Sequence, residues 1–242
     1  MFVDRSVRPA RARMGFRMNK LTFAAAAAGA LLLAGSASAG VLADFQLNGT
    51  LANSGPDGAT LTMNGGVLGA TGIEFGFNQG PTITGLGELS SYSLETRFSF
   101  AEVDGYRRIA DFSDRASDDG LYVLDGDIDF YNQAFGPGGV IGSNQLVTVK
   151  MTRAASGLVT GYINGVSQFS FVDTLGEAII HDHVNLFMDD LSFANEATRG
   201  FVDYATISTF DGGVPEPATW ALMILGFGSA GAMLRRRKSV LA

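Results

Sequence analysis

Residues Tyr92-Ser-Leu-Glu-Thr-Arg-Phe-Ser-Phe100 alternate without a break: Tyr92, Leu94, Thr96, Phe98 and Phe100 fall on one side, and Ser91, Ser93, Glu95, Arg97 and Ser99 on the other. A two-residue period fits an antiparallel strand with one face on a core and the other in water. It does not fit a helix, whose apolar stripe recurs every three to four residues. Gln145 to Thr152 repeats the pattern, with Val147, Val149 and Met151 set against Thr148, Lys150 and Thr152. Leu158 to Ile163 and Val166 to Phe171 flank Asn164-Gly165, and Leu121 to Leu124 and Asp127 to Tyr131 flank Asp125-Gly126. Both dipeptides tolerate positive φ, so each predicts a two-residue type I′ hairpin. Further strands are expected at Val41 to Phe45, Ile73 to Phe77, Arg107 to Phe112, Val184 to Phe187 and Phe201 to Phe210. Closely spaced strands with no helix of convincing periodicity predict an all-β fold over residues 40–213, a two-sheet antiparallel sandwich or jelly roll.

A segment of about 170 residues can bury roughly 70% of its unfolded surface. Phenylalanine, 18 of the 242 residues, supplies much of that core. Asn64-Gly65-Gly66 and Gly136-Pro137-Gly138-Gly139 read as loop punctuation, and no phosphate-binding glycine fingerprint precedes a helix. The chain has no cysteine, which excludes disulfides, a thiolate nucleophile and a Cys-ligated zinc site. The formal net charge of −7 hides an asymmetry: of 17 basic and 24 acidic residues, six and one precede Gly40, and four and one follow Gly213. The middle therefore holds seven basic against 22 acidic residues, a net of −15. Such a segment repels phosphate backbones, which argues against nucleic acid and for neutral partners or cations.

The two ends read as addresses. Arg17 and Lys20 precede an apolar run from Leu21 to Ala34, and Ala37-Ser38-Ala39 places small residues at −3 and −1 of a signal-peptidase site, so residues 1–39 read as a signal peptide cut before Gly40. The Arg-rich stretch from Arg5 to Arg17 is long for the start of such a signal; Met18 would open one of ordinary length, and residues 1–17 then read as a misassigned start. An exported chain without disulfides depends for stability on core size or on a bound ion. Residues 214–242 combine the triplet Pro215-Glu216-Pro217, an uncharged run of 17 residues from Ala218 to Leu234, and the basic cluster Arg235, Arg236, Arg237 and Lys238. The prolines hold Glu216 extended and readable by a protease. The run is at the short end of a membrane-spanning helix, and the cations following it stay in the cytoplasm.

Triplet, span and basic cluster in that order, with Trp220-Ala221 just after the triplet, resemble the PEP-CTERM sorting signal. The resemblance implies export in a Gram-negative bacterium and processing by an exosortase, a membrane-embedded cysteine protease or transpeptidase acting near the triplet. The path it implies runs through an inner-membrane intermediate to the cell surface or extracellular matrix. The plainer alternative is an ordinary anchor helix after two prolines. A mitochondrial-type presequence, the rival reading of the Arg-rich leader, sits badly with this bacterial tail. Between the two ends, Tyr92-Ser-Leu-Glu-Thr-Arg-Phe98, Gly120-Leu-Tyr-Val123, Thr152-Arg-Ala-Ala-Ser-Gly-Leu-Val-Thr-Gly-Tyr-Ile-Asn-Gly165, Asp189-Asp190 and Gly200-Phe-Val-Asp-Tyr204 resemble a laminin G-like, concanavalin A-type jelly roll.

That resemblance brings two chemical expectations. Retaining glucanases of this superfamily carry Glu-x-Asp-x-x-Glu on one strand, because glycoside hydrolysis needs two carboxyls across the scissile bond. Neither Glu74 nor Glu102 opens such a motif, and no Gly-x-Ser-x-Gly elbow is present. Resembling domains also hold a structural calcium on the rim; Asp44 and Asp203 are the positions that match, with Asp189 and Asp190 as further candidates and solvated rim carboxylates as the alternative. Asp125, Asp127 and Asp129 start like a calcium loop but lack its later Gly and Glu, and the hairpin accounts for them. His181 and His183 would share one strand face and could hold zinc with a carboxylate, although a polar turn explains them more simply. Tyr106, Tyr122, Tyr131 and Tyr162 could stack on sugar rings or belong to the core. The expected function is a non-catalytic carbohydrate-binding or structural module of an exopolysaccharide or biofilm matrix, with neutral glycan as ligand; a polysaccharide hydrolase and a passive surface spacer are the alternatives.

Overall fold

The computed structural model describes residues 40–191 and 195–210, and every regular element among them is a strand. In chain order these are β1 (Val41–Phe45), β2 (Thr60–Met63), β3 (Val67–Leu68), β4 (Ile73–Phe75), β5 (Pro81–Thr84), β6 (Glu88–Leu89), β7 (Tyr92–Phe100), β8 (Tyr106–Asp111) and β9 (Gly120–Leu124). There follow β10 (Asp127–Phe130), β11 (Ala134–Phe135), β12 (Val147–Arg153), β13 (Leu158–Ile163), β14 (Val166–Val172), β15 (Ile180–His181), β16 (Val184–Leu186) and β17 (Gly200–Ser208). One sheet runs β14-β13-β12-β7-β17-β4-β3, with β1 also paired to β17; the other runs β11-β10-β9-β8-β16-β5-β2; β6 and β15 form a separate ribbon. All pairs are antiparallel, and early strands lie beside late ones in both large sheets, the interleaving of a jelly-roll sandwich.

β7 is the centre of the first sheet because its alternation is the longest. Leu94 stands in register with Met151 on one side and Ile207 on the other, and Phe98 with Val147 and Val202. All six are buried in the hydrophobic core between the sheets. The second sheet answers with Phe187, whose ring stacks on Phe75 at 4.7 Å and meets Phe98 at 5.1 Å and Phe100 edge-on at 5.7 Å. Each buried Phe contributes about 1.5–3 kcal/mol from burial alone.

Both expected hairpins form. Asn164 and Gly165 sit at φ 48° and 82°, Asp125 and Gly126 at 49° and 84°, which are the paired positive values a type I′ turn requires. Each side chain also works: Asn164 Oδ1 accepts from the Thr148 N–H at 3.0 Å, and Asp125 Oδ1 from the Gly105 N–H at 2.7 Å. At the far end of β12, Arg153 Nε donates to Asp173 Oδ2 at 2.9 Å, and Asp173 also accepts from the N–H groups of Gly176, Glu177 and Ala178, which pins the 173–178 turn to the sheet.

Some boundaries move. The strand expected from Ile73 to Phe77 stops at Phe75, because Gly76 donates to Gln79 Oε1 at 3.1 Å and Asn78 turns at φ 55°. β2, β5 and the two-residue strands were not anticipated. The signal peptide at residues 1–39 with Ala37 and Ala39, the triplet Pro215, Glu216 and Pro217, the apolar run 218–234 and the cluster Arg235 to Lys238 lie outside the described residues.

Candidate functional site

Register places Arg108 of β8, Tyr122 of β9 and Asp129 of β10 side by side. Their chain neighbours Val123 and Ile128 belong to the hydrophobic core, so alternation puts the three on the opposite face of the second sheet. The polar file continues across the sheet. Asn185 Nδ2 donates to Asp111 Oδ2 at 3.0 Å, Thr82 Oγ1 to Asn185 Oδ1 at 2.7 Å, and Asn64 Nδ2 to Thr82 Oγ1 at 2.9 Å.

A roof of loop residues takes Arg108 out of water. Its guanidinium donates to the carbonyls of Asp119 at 3.0 Å and Ser117 at 3.3 Å, while Arg115 ties the roof down by donating from its backbone N–H to Asp111 Oδ2 at 2.9 Å and from Nε to the Asp189 carbonyl. Arg108 is 1% exposed, and its terminal nitrogens lie 3.6 Å from Asp111, 3.7 Å from Asp118, 3.7 Å from Asp189 and 3.9 Å from Asp190. A buried cation is tolerated only when paired and hydrogen-bonded, and here four carboxylates and two carbonyls meet that need. Among the described residues, Arg108 is thus a cation facing Asp189 and Asp190, the pair weighed above for calcium.

Beside this cluster three tyrosines meet. Tyr106 lies 5.5 Å from Tyr122 and 5.6 Å from Tyr131, and Tyr122 lies 6.1 Å from Tyr131, measured between ring centroids. Tyr122 is buried, whereas Tyr106 and Tyr131 are half-buried. Burial raises the Tyr106 hydroxyl above its ordinary pKa, and the charges of Asp129, Tyr131, Glu196 and Asp125 add to it.

Asp129 is the unusual member. It is 1% exposed and neither carboxylate oxygen has a hydrogen-bond partner. Burial, then the charges of Asp127 and Glu196, push its carboxyl up to about 7. Glu196 is raised as well, by burial and by the charge of Asp189, while the Tyr122 hydroxyl donates to the Asp118 carbonyl at 3.0 Å. Asp129 also lines a pocket of about 230 Å³ together with Asp125, Asp127, Phe135 and Pro137. The Asp127 carboxylate folds the 136–138 loop over this pocket, accepting from the Gly138 N–H and leaving no room for a side chain at Gly136. A second pocket, about 290 Å³, lies by Glu74, Ser99, Asn144 and Arg199.

Of the residues singled out in the sequence, Tyr106, Tyr122 and Tyr131 come together and Tyr162 does not: it sits on β13 in the other sheet, opposite Lys150. Asp44 and Asp203 each have their own partners, Asp44 Oδ1 accepting from Gln46 Nε2 and Thr206 Oγ1, and Asp203 pairing with Arg97 at 3.0 Å. Asp182 at φ 90° ends the strand between the histidines, so His181 turns to Glu88 at 3.9 Å and His183 to Asp114 at 3.4 Å instead of sharing a face. Among the described residues no group of three or more His, Cys, Asp or Glu side chains is arranged to hold a metal ion. Arg108 and Glu196 escaped the sequence reading, since a lone arginine in an alternating strand looks solvated and Glu196 lies in a loop of no pattern.

Residues 213–238 match the family model of the PEP-CTERM protein-sorting motif. No curated protein matches the chain in sequence. Among solved structures, the receptor binding domain of botulinum neurotoxin D is similar at 13% identity and TM-score 0.52, over 78% of this chain and 52% of that one. A botulinum neurotoxin type C structure, whose cell entry depends on two ganglioside molecules, is similar at 13% identity and TM-score 0.52, over 71% and 48%. Domain 4 of an extracellular arabinanase from Geobacillus stearothermophilus, solved with arabinotriose, aligns at 19% identity and TM-score 0.48, over 71% and 93%. The chain spans about half the length of the neurotoxin structures, and likeness at these identities concerns the fold. The chain carries a PEP-CTERM protein-sorting signal at residues 213–238 and, ahead of it, an all-β sandwich of the jelly-roll type.

Proposed function

We propose that this is a sorted surface protein whose sandwich binds carbohydrate without cleaving it, as a binding or structural module of an exopolysaccharide matrix. The observation that carries the reading is the trio Tyr106, Tyr122 and Tyr131 gathered on the outer sheet face, where Tyr122 stands in register with Asp129, a residue that lines a pocket. Half-exposed tyrosine rings offer apolar faces to the C–H faces of a sugar, and carboxyl oxygens accept from its hydroxyls. The sorting signal supports processing by an exosortase after signal-peptidase cleavage before Gly40, with a membrane-held intermediate and release to the surface of a Gram-negative cell. The charge of the middle segment opposes a nucleic-acid partner.

A second reading has one observation in its favour. A carboxyl that keeps its proton near neutral pH is what a glycosidase needs as general acid, and Asp129, pushed up to about 7, meets that requirement with Glu196 as second carboxyl. Against it stands the missing Glu-x-Asp-x-x-Glu strand. A glycan array probed with the full chain in detergent, with reducing ends measured on every hit, separates the readings. Binding without new reducing ends supports the binding module; sugar release moves the protein to the hydrolases; no binding to any glycan leaves the passive spacer.

A further inference from the structure

Asp125, Asp127 and Asp129 line one pocket, yet they are not equivalent. Asp125 Oδ1 accepts from the Gly105 N–H at 2.7 Å, and Asp127 accepts from the Ile128 N–H at 2.7 Å and from the Gly138 N–H. Asp129 lines the same pocket at 1% exposure and makes no hydrogen bond of good geometry, with only its own backbone N–H acting on it as a donor. No ion pair reaches any of the three among the described residues, and the guanidinium of Arg108 is engaged by Asp111, Asp118, Asp189 and Asp190. The pocket is therefore an acidic recess in which the Asp129 carboxyl has neither an ion pair nor a side-chain partner.

We propose that this recess takes a protonated amine, carried by an amino-sugar unit of the bound glycan, with Asp129 as its counter-ion. The inference rests on the glycan-binding reading. A hydroxyl could offer Asp129 one hydrogen bond and no charge, whereas an ammonium supplies three donors and the opposite charge, and so favours the ionised form of a carboxyl that otherwise keeps its proton in this recess. Phe135, 60% exposed, and Pro137 give apolar surface for the ring that carries the amine. The volume, about 230 Å³, falls below the roughly 300–1,000 Å³ of pockets for larger ligands and suits a single sugar unit. A divalent ion fits less well, since three ligating side chains do not converge there.

The groups facing Asp129 agree on the sign of the ligand. Asp127 on its own strand, Asp125 in the β9–β10 turn, Glu196 from the loop before β17, and Tyr106 and Tyr122 from β8 and β9 are all acidic or neutral. Each of the acidic groups adds to the field that an ammonium would satisfy.

The test is calorimetry on the full chain in detergent at pH 6.5, with circular dichroism to confirm folding. The titrants are a glucosamine tetrasaccharide, its N-acetylated form, a glucose tetrasaccharide and a lysine tetrapeptide. The glucosamine tetrasaccharide is expected to bind at least tenfold more tightly than the two neutral sugars, and Asp129→Asn to bring that ratio close to one. Asp125→Asn keeps the turn and the acceptor for Gly105 while removing a charge; it lowers the ratio by a smaller factor and carries the test if Asp129→Asn does not fold. Equal affinity for the three sugars, or a preference that survives both substitutions, overturns the amine inference and leaves glycan binding in place. Tighter binding of the lysine tetrapeptide than of any sugar assigns the recess to a protein partner and overturns it too. No response to any sugar overturns both readings.

Discussion

The guanidinium carbon of Arg108 lies 4.5 Å from the centroid of the Tyr122 ring, and both side chains are buried. Cation and ring hold each other on the outer sheet face while Asp111 and Asp189, both fully enclosed, neutralise the charge. Arg108→Met keeps the apolar stem but leaves those carboxylates unpaired. The expected loss is about 3–5 kcal/mol of unfolding free energy. Urea unfolding at pH 7 checks it, and a loss below about 1 kcal/mol would show that the cluster is not held by this charge.

Asp129 makes stability depend on pH in an unusual direction. Its folded carboxyl, at about 7, lies above the unfolded value of about 3.9, so between those limits the folded state holds a proton that the unfolded chain has lost. Stability therefore falls as pH rises through that window, the penalty being absent below about pH 4 and complete above about pH 7. Three pKa units set its ceiling at about 4 kcal/mol. Asp129→Asn should match the wild type near pH 4 and exceed it at pH 8 by on the order of 2 kcal/mol. Parallel stability curves for the two proteins from pH 4 to pH 8 would contradict this.

The legible and illegible parts of this molecule divide by how local their cause is. Alternation from Tyr92 to Phe100 and the turn at Asn164-Gly165 are local, and both stand in the structure as read. Thr60–Met63 and Pro81–Thr84 are four residues each, too short to alternate convincingly; they pair with each other, and Pro81–Thr84 pairs also with β16. The tyrosines were legible by type but not by place: nothing local separates Tyr131, which joins Tyr106, from Tyr162, which lies in the other sheet. Arg108 was least legible, because its burial comes from loop residues 9 and 11 positions later and from Asp189, far along the chain.

Calcium gives a clear expectation. Asp203 pairs with Arg97 and Asp44 with Gln46 and Thr206, so a calcium ion at these rim positions would have to displace those partners. Melting the full chain in detergent with excess calcium and with chelator should give equal midpoints. A calcium-dependent rise equivalent to about 2.7 kcal/mol, as a hundredfold excess over Kd would produce, would establish a site at Asp44 and Asp203 after all.

The matched motif at residues 213–238 implies processing by an exosortase, and the sequence pattern before Gly40 predicts a signal-peptidase cut there. In a host with an exosortase, the mature protein is expected to begin at Gly40 and to lack Arg235, Arg236, Arg237 and Lys238. Intact-mass measurement of the surface form reads both ends at once. A mass that retains the basic cluster would replace sorting with simple anchoring.

The central claim is that glycan binds at Tyr106 and Tyr131 and leaves uncut. Calorimetry on the full chain, using the tightest glycan from the array, tests it against Tyr106→Ala, Tyr131→Ala and Tyr162→Ala, with reducing ends assayed in the same samples. Loss of a stacking ring at either of the first two positions should weaken binding at least tenfold, about 1.4 kcal/mol, while Tyr162→Ala leaves it unchanged and no reducing ends appear. Undiminished affinity in both Tyr106→Ala and Tyr131→Ala, or release of sugar by the wild type, would contradict the account.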